Sequence, residues 1–300
     1  MSQRFDDNGI LTEAIMSEET PRSISTLSVL APGLDHPEGV AWGPDGKVYA
    51  GGEAGQVYRI DLGSGAFEAF GNSGGFLLGL AHDSAANVYA CDMGRKEVIR
   101  VTPGGEVTRY AASTADQDMR VPNYLVFDAQ GNLYVSDSGE WGKRDGFIWK
   151  IAPGGAGVVW DRQANGFTNG MCMGPDGRSL YVVESCPPLI SRIPINDDGT
   201  AGTREVVVEL PRNVPDGVAF DSQGRLYISL YNPNIIYVYD KGKLTTLYDD
   251  WEQLILVAPT NIAFGGADMK TLLIANLCGW SLATAPVETP GLRVNYPTLG

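Results

Sequence analysis

Residues 39–50 read GVAWGPDGKVYA, and this stretch decides the fold because its pattern recurs along the chain. The clear copies are YLVFDAQGNLYV at 124–135, GVAFDSQGRLYI at 217–228 and, one residue longer, GMCMGPDGRSLYV at 170–182. Weaker copies occupy residues 79–90 and 261–275. Each copy predicts a strand, a tight turn whose glycine takes positive φ, and a returning strand of β-branched and aromatic residues.

The spacing of the copies predicts a β-propeller. The residues at the start of the six units lie 40, 45, 46, 47 and 44 positions apart, and they are Glu38, Leu78, Asn123, Asn169, Asp216 and Thr260. A third strand follows most copies, as at 56–61 and 235–240. A period of this length with three or four strands per unit is typical of propeller blades. We therefore predict an all-β, six-bladed β-propeller with four-stranded antiparallel blades.

Six units of about 45 residues use about 270 residues and leave no room for a second domain. We predict a short N-terminal extension at residues 1–22 and a single propeller domain at residues 23–300. The apolar stretch 24–30 is expected to supply the outer strand that closes the ring against the last blade.

Charge and composition exclude several functions. The chain has 36 acidic and 22 basic side chains and a formal net charge of −14, so nucleic acid is not an expected partner. No stretch approaches the roughly 20 apolar residues of a membrane helix, and the first residues lack a signal-peptide core, so we expect no membrane contact and a cytoplasmic location. The four cysteines have no metal-binding spacing and are expected to be reduced core thiols.

The six residues that start the units are the candidate site. The innermost strand of each blade faces the central axis, so one position of the repeat converges at one end of the channel. Five of the six residues bear side-chain oxygen, and Leu78 is the exception. Two carboxylates and two carboxamides without a nearby His or Cys favour a hard cation such as Ca²⁺, with free coordination positions for a substrate. The alternative is a turn role, because Asn and Asp before Gly are common in turns.

At these residues the sequence resembles the SMP-30/gluconolactonase/luciferin-regenerating family of six-bladed, calcium-dependent propellers, which includes Drp35-type lactonases. The resemblance covers about residues 30–290, and its motifs are HPEG at 36–39, PNY at 122–124, NG at 169–170, VES at 183–185, PDGVAFD at 215–221 and PTN at 259–261. It implies that Glu38, Asn169 and Asp216 bind Ca²⁺. It also implies that Asn123 is a further ligand or contacts the substrate, and that Asp216 is a general base or nucleophile.

Two departures from the family pattern concern the substrate. Members of the family commonly have Asn-Asp where this chain has Asn123 and Tyr124, and Arg120 is not at the position of the arginine that some sugar lactonases carry. Aromatic residues near the predicted blade ends are candidate substrate contacts, with core or rim packing as the alternative for each: Tyr124, Trp141, Phe167, Tyr231 and Trp280. We therefore expect a less polar pocket than that of a gluconolactonase.

The leading hypothesis is a calcium-dependent hydrolase that opens a lactone or a related ester, with the carbonyl polarised by the metal and water activated by Asp216. The catalytic candidates are Asp216 and Asn123, and the metal ligands are Glu38, Asn123, Asn169 and Asp216. Another divalent cation could replace Ca²⁺.

Other functions remain open at this level. One alternative is a non-catalytic propeller that binds a small molecule and a structural Ca²⁺, and another is a metal-dependent enzyme for phosphotriester hydrolysis or a biosynthetic rearrangement. His36 and His82 are expected to have surface or hydrogen-bonding roles rather than to form a catalytic dyad. Ser138 and Ser185 lack the sequence setting of a serine nucleophile.

Overall fold

The computed structural model describes residues 15–211 and 213–299, and its strands form six antiparallel sheets of four propeller strands each. Blade 1 consists of Val40–Trp42, Val48–Gly51, Gln56–Ile60 and Phe67–Asn72; blade 2 of Leu77–His82, Val88–Asp92, Glu97–Val101 and Val107–Ala111; blade 3 of Pro122–Phe127, Leu133–Asp137, Phe147–Ile151 and Gly157–Asp161. Blade 4 consists of Thr168–Met173, Ser179–Ser185, Pro188–Pro194 and Glu205–Glu209; blade 5 of Val214–Phe220, Leu226–Asn232, Ile235–Asp240 and Lys243–Asp249; blade 6 of Pro259–Gly265, Thr271–Asn276, Ser281–Pro286 and Ser28–Leu30. The predicted all-β six-bladed propeller is confirmed.

The N-terminal strand closes the ring. Ser28–Leu30 pairs antiparallel with Ser281–Pro286, so the last blade takes its outer strand from the start of the chain. Ile24–Thr26, which we expected to belong to this strand, forms a short 3₁₀-helix, as does Leu277–Gly279. Ile15–Met16 pairs in parallel with the outer strand of blade 5. Residues 1–14 of the predicted extension lie outside the described residues.

The turn between the first two strands of a blade has the predicted geometry. Gly46, Gly131 and Gly224 have φ of 77°, 84° and 80°, a region that favours glycine. In blade 3 the Asp128 carboxylate accepts hydrogen bonds from the backbone N–H groups of Gln130 and Asn132 at 2.9 and 2.8 Å. The carboxylates of these turns therefore stabilise the end of the blade at which the innermost strand finishes, which we call the lower end.

The hydrophobic core is divided among the blade interfaces. Six clusters of buried apolar side chains each lie between two neighbouring blades, including the pair formed by blades 6 and 1. Between blades 2 and 3, for example, Tyr89 packs edge-on against Phe127 with ring centroids 5.1 Å apart. Since both faces of every blade are covered, the innermost strands are held rigidly around the axis.

The C-terminal segment 291–299 crosses the lower end of the axial channel. The backbone N–H of Leu292 donates to Phe220 O, the amide of Asn295 to Phe127 O, and the hydroxyl of Tyr296 to Trp42 O. These acceptors belong to the innermost strands of blades 5, 3 and 1. An axial cavity of about 250 Å³ lies above the segment and is lined mostly by apolar side chains of the innermost strands.

Two further observations concern the sequence expectations. Within the described residues, no helix has the length and apolarity needed to span a membrane. All four cysteines are free. Cys91 is buried as expected, Cys172 and Cys186 are partly buried, and Cys278 lies exposed in the 3₁₀-helix of blade 6, so the expectation of a core thiol is wrong for Cys278.

Candidate metal and active site

The six predicted site residues lie where the innermost strands begin, at what we call the upper end. We name Glu38, Leu78, Asn123, Asn169, Asp216 and Thr260 the ring; all six are buried. In blades 2 to 6 an irregularity in strand pairing falls at this position, for example between Thr168 and Met171 in blade 4. Such bulges redirect side chains, which brings ring residues toward the axis.

Four ring residues each have one buried oxygen atom without a hydrogen-bond partner among the described residues. These atoms are Glu38 Oε2, Asn123 Oδ1, Asn169 Oδ1 and Asp216 Oδ1. An unpaired buried polar atom costs about 1–3 kcal/mol, so four at one position of a repeat require an explanation. Carboxylate and amide oxygens without nitrogen or sulfur donors are the ligands of a hard cation, and this donor set fits Ca²⁺.

The charges of the two ring carboxylates support the same conclusion. Burial raises the pKa of Asp216 to about 7. Burial also raises the pKa of Glu38 well above its usual range, and the neighbouring Asp216 charge adds to this shift. Two buried carboxylates cannot both ionise cheaply without a positive partner, and a bound cation would supply it.

Blade 6 contributes differently from the other blades. The hydroxyl of Thr260 donates to the backbone O of Glu38 at 2.6 Å, and the amide of Asn261 donates to the same atom at 3.2 Å. Thr260 thus holds Glu38 in place and closes the ring between the last blade and the first. Asn261 Oδ1 is also buried and unpartnered, so it is a fifth candidate ligand that sequence reasoning missed.

Serine hydroxyls on the second strands connect neighbouring ring positions. Ser136 Oγ accepts from the backbone N–H of Tyr124 at 3.0 Å and donates to Asn169 O in the next blade at 2.8 Å. Ser185 Oγ donates to Pro215 O at 2.7 Å and accepts from the amide nitrogen of Asn169 at 3.3 Å. This last bond fixes the amide of Asn169 and leaves its oxygen as the free group. Ser185 is thereby occupied as a support, in line with the expectation that it is not a nucleophile.

The glycines that follow ring residues serve close packing rather than turns. Gly39 and Gly170 both lack positive φ. A Cβ added at Gly39 would lie 2.1 Å from Leu78 O, and one at Gly170 would lie 2.4 Å from Asp216 O. The turn alternative is therefore wrong at these two positions, because the side chain is excluded by the backbone of the next blade.

Tyr124 occupies this narrow layer in blade 3. A Cβ added at Gly79 would lie 2.6 Å from Tyr124 Cδ2, and the Tyr124 ring is buried where it lines the axial cavity. Burial raises the pKa of Tyr124, with the Cys172, Glu38 and Cys91 groups adding to the shift. Tyr124 lies next to the ring on its lower side, not at a blade end as its prediction among the substrate contacts assumed.

The other four predicted aromatic contacts lie at the upper end. Trp141, Tyr231 and Trp280 are exposed, and Phe167 is half-buried beside Trp141. Partial burial raises the pKa of Tyr231, and the nearby Cys278 and Asp216 groups add to the shift. The structure therefore brings these aromatic side chains to the end of the channel that holds the unpartnered oxygens.

Residues 37–277 match the sequence model of the SMP-30/Gluconolactonase/LRE-like region. The chain belongs to this family. A 6-deoxy-6-sulfogluconolactonase of Pseudomonas putida is 31% identical over 147 residues, which are 43% of this chain and 47% of the relative. A lactonase drp35 of Staphylococcus haemolyticus is 27% identical over 122 residues, 39% of this chain and 38% of the relative. The chain thus spans less than half the length of these curated relatives.

Solved structures of the SMP-30/gluconolactonase family have the same fold over nearly the whole chain. A gluconolactonase of Xanthomonas campestris superimposes with a TM-score of 0.75 at 20% identity, covering 92% of this chain and 97% of that one. A luciferin-regenerating enzyme superimposes with a TM-score of 0.70 at 14% identity, covering 90% and 96%. At these identities the likeness establishes the fold alone.

In this member of the SMP-30/gluconolactonase family the two histidines lie at opposite ends. His36 Nδ1 is 2.9 Å from Asp35 Oδ1 and 2.9 Å from Glu53 Oε2 at the upper end. His82 lies at the lower end of the innermost strand of blade 2, and burial lowers its pKa to about 4. Both of its ring nitrogens lack a hydrogen-bond partner among the described residues, so the expected surface or hydrogen-bonding role is wrong for His82.

Proposed function

We propose that this protein is a calcium-dependent hydrolase that opens a lactone or a related ester. The observation that carries the proposal is the set of four unpartnered, buried oxygens on Glu38, Asn123, Asn169 and Asp216 at one end of the axis. These residues would hold the ion, and the names of the lactonase relatives support the substrate class. The expected cytoplasmic location stays a prediction.

The chemistry follows from the side chains at the ring. Bound Ca²⁺ would polarise the carbonyl oxygen of the substrate. Asp216 accepts a proton from a water molecule while the water oxygen attacks the carbonyl carbon. The bond between the carbonyl carbon and the lactone-ring oxygen then breaks. The leaving alkoxide takes the proton back from Asp216, so that the product is a hydroxy acid.

Asn123 has a positioning role beside this base. Its Oδ1 is one of the unpartnered oxygens, whereas its Nδ2 donates none of the hydrogen bonds found among the described residues. The amide hydrogens are thus available to a substrate oxygen, while the carbonyl oxygen of the same group would bind the ion. One side chain thereby orients the substrate relative to the ion.

The test is hydrolysis of a lactone panel by chelator-treated protein before and after addition of Ca²⁺. Activity should be absent without the ion and return with it. Asp216→Asn should bind Ca²⁺ more weakly because it lacks one negative ligand, and at saturating Ca²⁺ it should lose about 10³-fold in kcat, the scale of a general base. Asp198→Asn changes an exposed turn at the lower end of blade 4 and should leave kcat unchanged.

Two results would overturn the proposal. Full activity in the chelator-treated protein would remove the metal from the mechanism, and full activity of Asp216→Asn would remove the base. Tight Ca²⁺ binding without turnover of any lactone or ester would favour the non-catalytic binding function instead.

A further inference from the structure

Two aromatic residues on opposite sides of the upper mouth have a strained backbone conformation. His36 and Phe167 each lie two residues before a ring residue, Glu38 in blade 1 and Asn169 in blade 4, and these two blades face each other across the six-bladed ring. Both have positive φ, 41° and 56°. Bulky L-residues rarely adopt this conformation, which costs about 1–2 kcal/mol and is concentrated at functional sites.

Each of these side chains contacts a tryptophan from the preceding blade. The rings of His36 and Trp280 have centroids 4.7 Å apart, and those of Phe167 and Trp141 are 5.0 Å apart. Trp280 and Trp141 occupy the same connection, between the second and third strands of blades 6 and 3. The mouth therefore has two equivalent aromatic pairs, related by half a turn around the axis.

The two tryptophans leave much of their apolar surface to solvent. Trp141 is 56% exposed and Trp280 53% exposed, and Trp280 is itself held at a φ of 53°. Neither indole N–H donates a hydrogen bond to the described residues. Large aromatic faces that are exposed and backed by a second ring are typical of ligand contacts rather than of core packing.

Several polar groups beside the pairs are engaged with one another. Asp35 and Glu53 both face the Nδ1 of His36, which fixes the orientation of that ring. In the loop that carries Trp141, Asp145 pairs with Arg120 at 2.8 Å. The surface offered to a ligand at both pairs is thus predominantly the flat apolar face of an indole.

We propose that the two aromatic pairs hold the two ends of one elongated substrate, a lactone or ester that carries a flat apolar group on each side of the reacting carbonyl. The carbonyl then lies over the ring, between the pairs. This inference rests on the proposed function for the reaction, and it adds the class of substrate. A small unsubstituted lactone contacts neither aromatic pair, so its hydrolysis depends on the six ring residues alone.

The experiment compares two substrates and five variants of the full chain. The substrates are δ-valerolactone and a δ-lactone with one aryl group on each side of the carbonyl. Trp141→Ala and Trp280→Ala should each lower kcat/KM for the diaryl lactone about tenfold, and the double variant about 100-fold, while kcat/KM for δ-valerolactone changes less than about twofold. Trp141→Phe should retain most of the activity, because it keeps an aromatic face. Trp251→Ala removes another exposed tryptophan of the upper end, outside the pairs, and should have no effect on either substrate.

A binding measurement separates failure of this inference from failure of the proposed function. The diaryl lactam that matches the lactone is not hydrolysed readily, and its binding can be followed by tryptophan fluorescence. If no lactone is turned over but the lactam binds, and binds more weakly to Trp141→Ala and Trp280→Ala, the proposed reaction is wrong and the substrate-binding role of the aromatic pairs is supported. If both lactones are hydrolysed and the tryptophan variants affect them equally, or not at all, the substrate-binding role of the aromatic pairs is wrong and the proposed reaction is supported.

Discussion

The two ends of the innermost strands both hold buried carboxylates, but in opposite environments. At the lower end, Asp128 accepts from the backbone of Gln130 and Asn132 and from the side chain of Asn132 at 2.7 Å. At the upper end, Glu38 and Asp216 each have a buried oxygen that accepts from no described residue. At the lower end the backbone and side chains of the turn supply donors to Asp128, whereas the ring positions of the innermost strands lack donors for these oxygens of Glu38 and Asp216. The lower carboxylates therefore stabilise the fold, whereas we propose that Glu38 and Asp216 pair with a bound cation.

Removing one upper charge gives the largest expected effect. Glu38→Gln keeps the size of the side chain but removes a negative ligand, so Ca²⁺ affinity measured by calorimetry should fall about 100-fold or more. The chelated variant should also unfold at a higher temperature than the chelated native protein, because a buried carboxylate has gone. Unchanged Ca²⁺ affinity would remove Glu38 from the site.

Removing a lower carboxylate should lower the stability of the protein and leave its Ca²⁺ affinity nearly unchanged. Asp128→Ala leaves the N–H groups of Gln130 and Asn132 without their acceptor, and the free energy of unfolding should fall by about 2–3 kcal/mol with and without Ca²⁺. Affinity for Ca²⁺ should stay within about twofold of the native value. Loss of Ca²⁺ binding in the folded variant would show that the two ends are not independent.

The pH dependence of stability in the chelated protein tests the environment of Asp216 at the upper end. Asp216 has a pKa of about 7 in the folded protein against an ordinary value of 3.8, so the folded state holds a proton that the unfolded state releases. Its contribution to stability is fully present below pH 3.8 and is lost as the pH rises through about 7. The thermal unfolding midpoint of the chelated protein should therefore fall by several degrees between about pH 5 and pH 8.

Two comparisons make this pH prediction decisive. Asp216→Asn should reduce the dependence, and saturating Ca²⁺ should raise the midpoint most at the high end of the range. A midpoint that rises with pH in the chelated native protein, and not in Asp216→Asn, would contradict the proposed environment of this carboxylate.

The smallest effect is expected from a support of the ring. Ser136→Ala leaves the N–H of Tyr124 and the O of Asn169 without a partner, which should cost about 1–2 kcal/mol of unfolding free energy. Because Asn169 is a proposed ligand, Ca²⁺ affinity should weaken several-fold as well. Ser222→Ala, at an exposed turn of the lower end, is the matched control and should change neither quantity. Equal effects from both serines would deny Ser136 any part in positioning the ring.

The blades and the ring were predictable from the sequence for one physical reason. In a propeller the repeat unit is also the structural unit, so a period in the sequence becomes a rotation about the axis. Residues at one register, such as Glu38 and Asp216, must then converge, although 178 positions separate them in the chain. The outer strand Ser28–Leu30 followed from the same arithmetic, because one blade lacked a partner for its third strand.

Other features of the site were not predictable because they depend on local backbone geometry. His36, Phe167 and Trp280 adopt positive φ without being glycine, and no turn motif in the sequence indicates this. The connections between second and third strands differ in length from blade to blade, so the contact of Trp141 with Phe167 could not be inferred from the repeat. Asn261 was not predicted because it lies one position after the register of the ring, which Thr260 occupies in blade 6. Its signal was that most other blades have glycine at that position.

The most direct test of the proposed metal site is the structure of a crystal soaked in CaCl₂, with anomalous scattering used to locate calcium. We expect an anomalous peak on the propeller axis in contact with Glu38 Oε2, Asn123 Oδ1, Asn169 Oδ1 and Asp216 Oδ1. A second group of potential ligands, Asp35, His36 and Glu53, lies at the rim of the upper end, with ligand atoms within 4.8 Å of one another. A peak at that rim group with none on the axis, or no axial peak at millimolar Ca²⁺, would contradict the central claim.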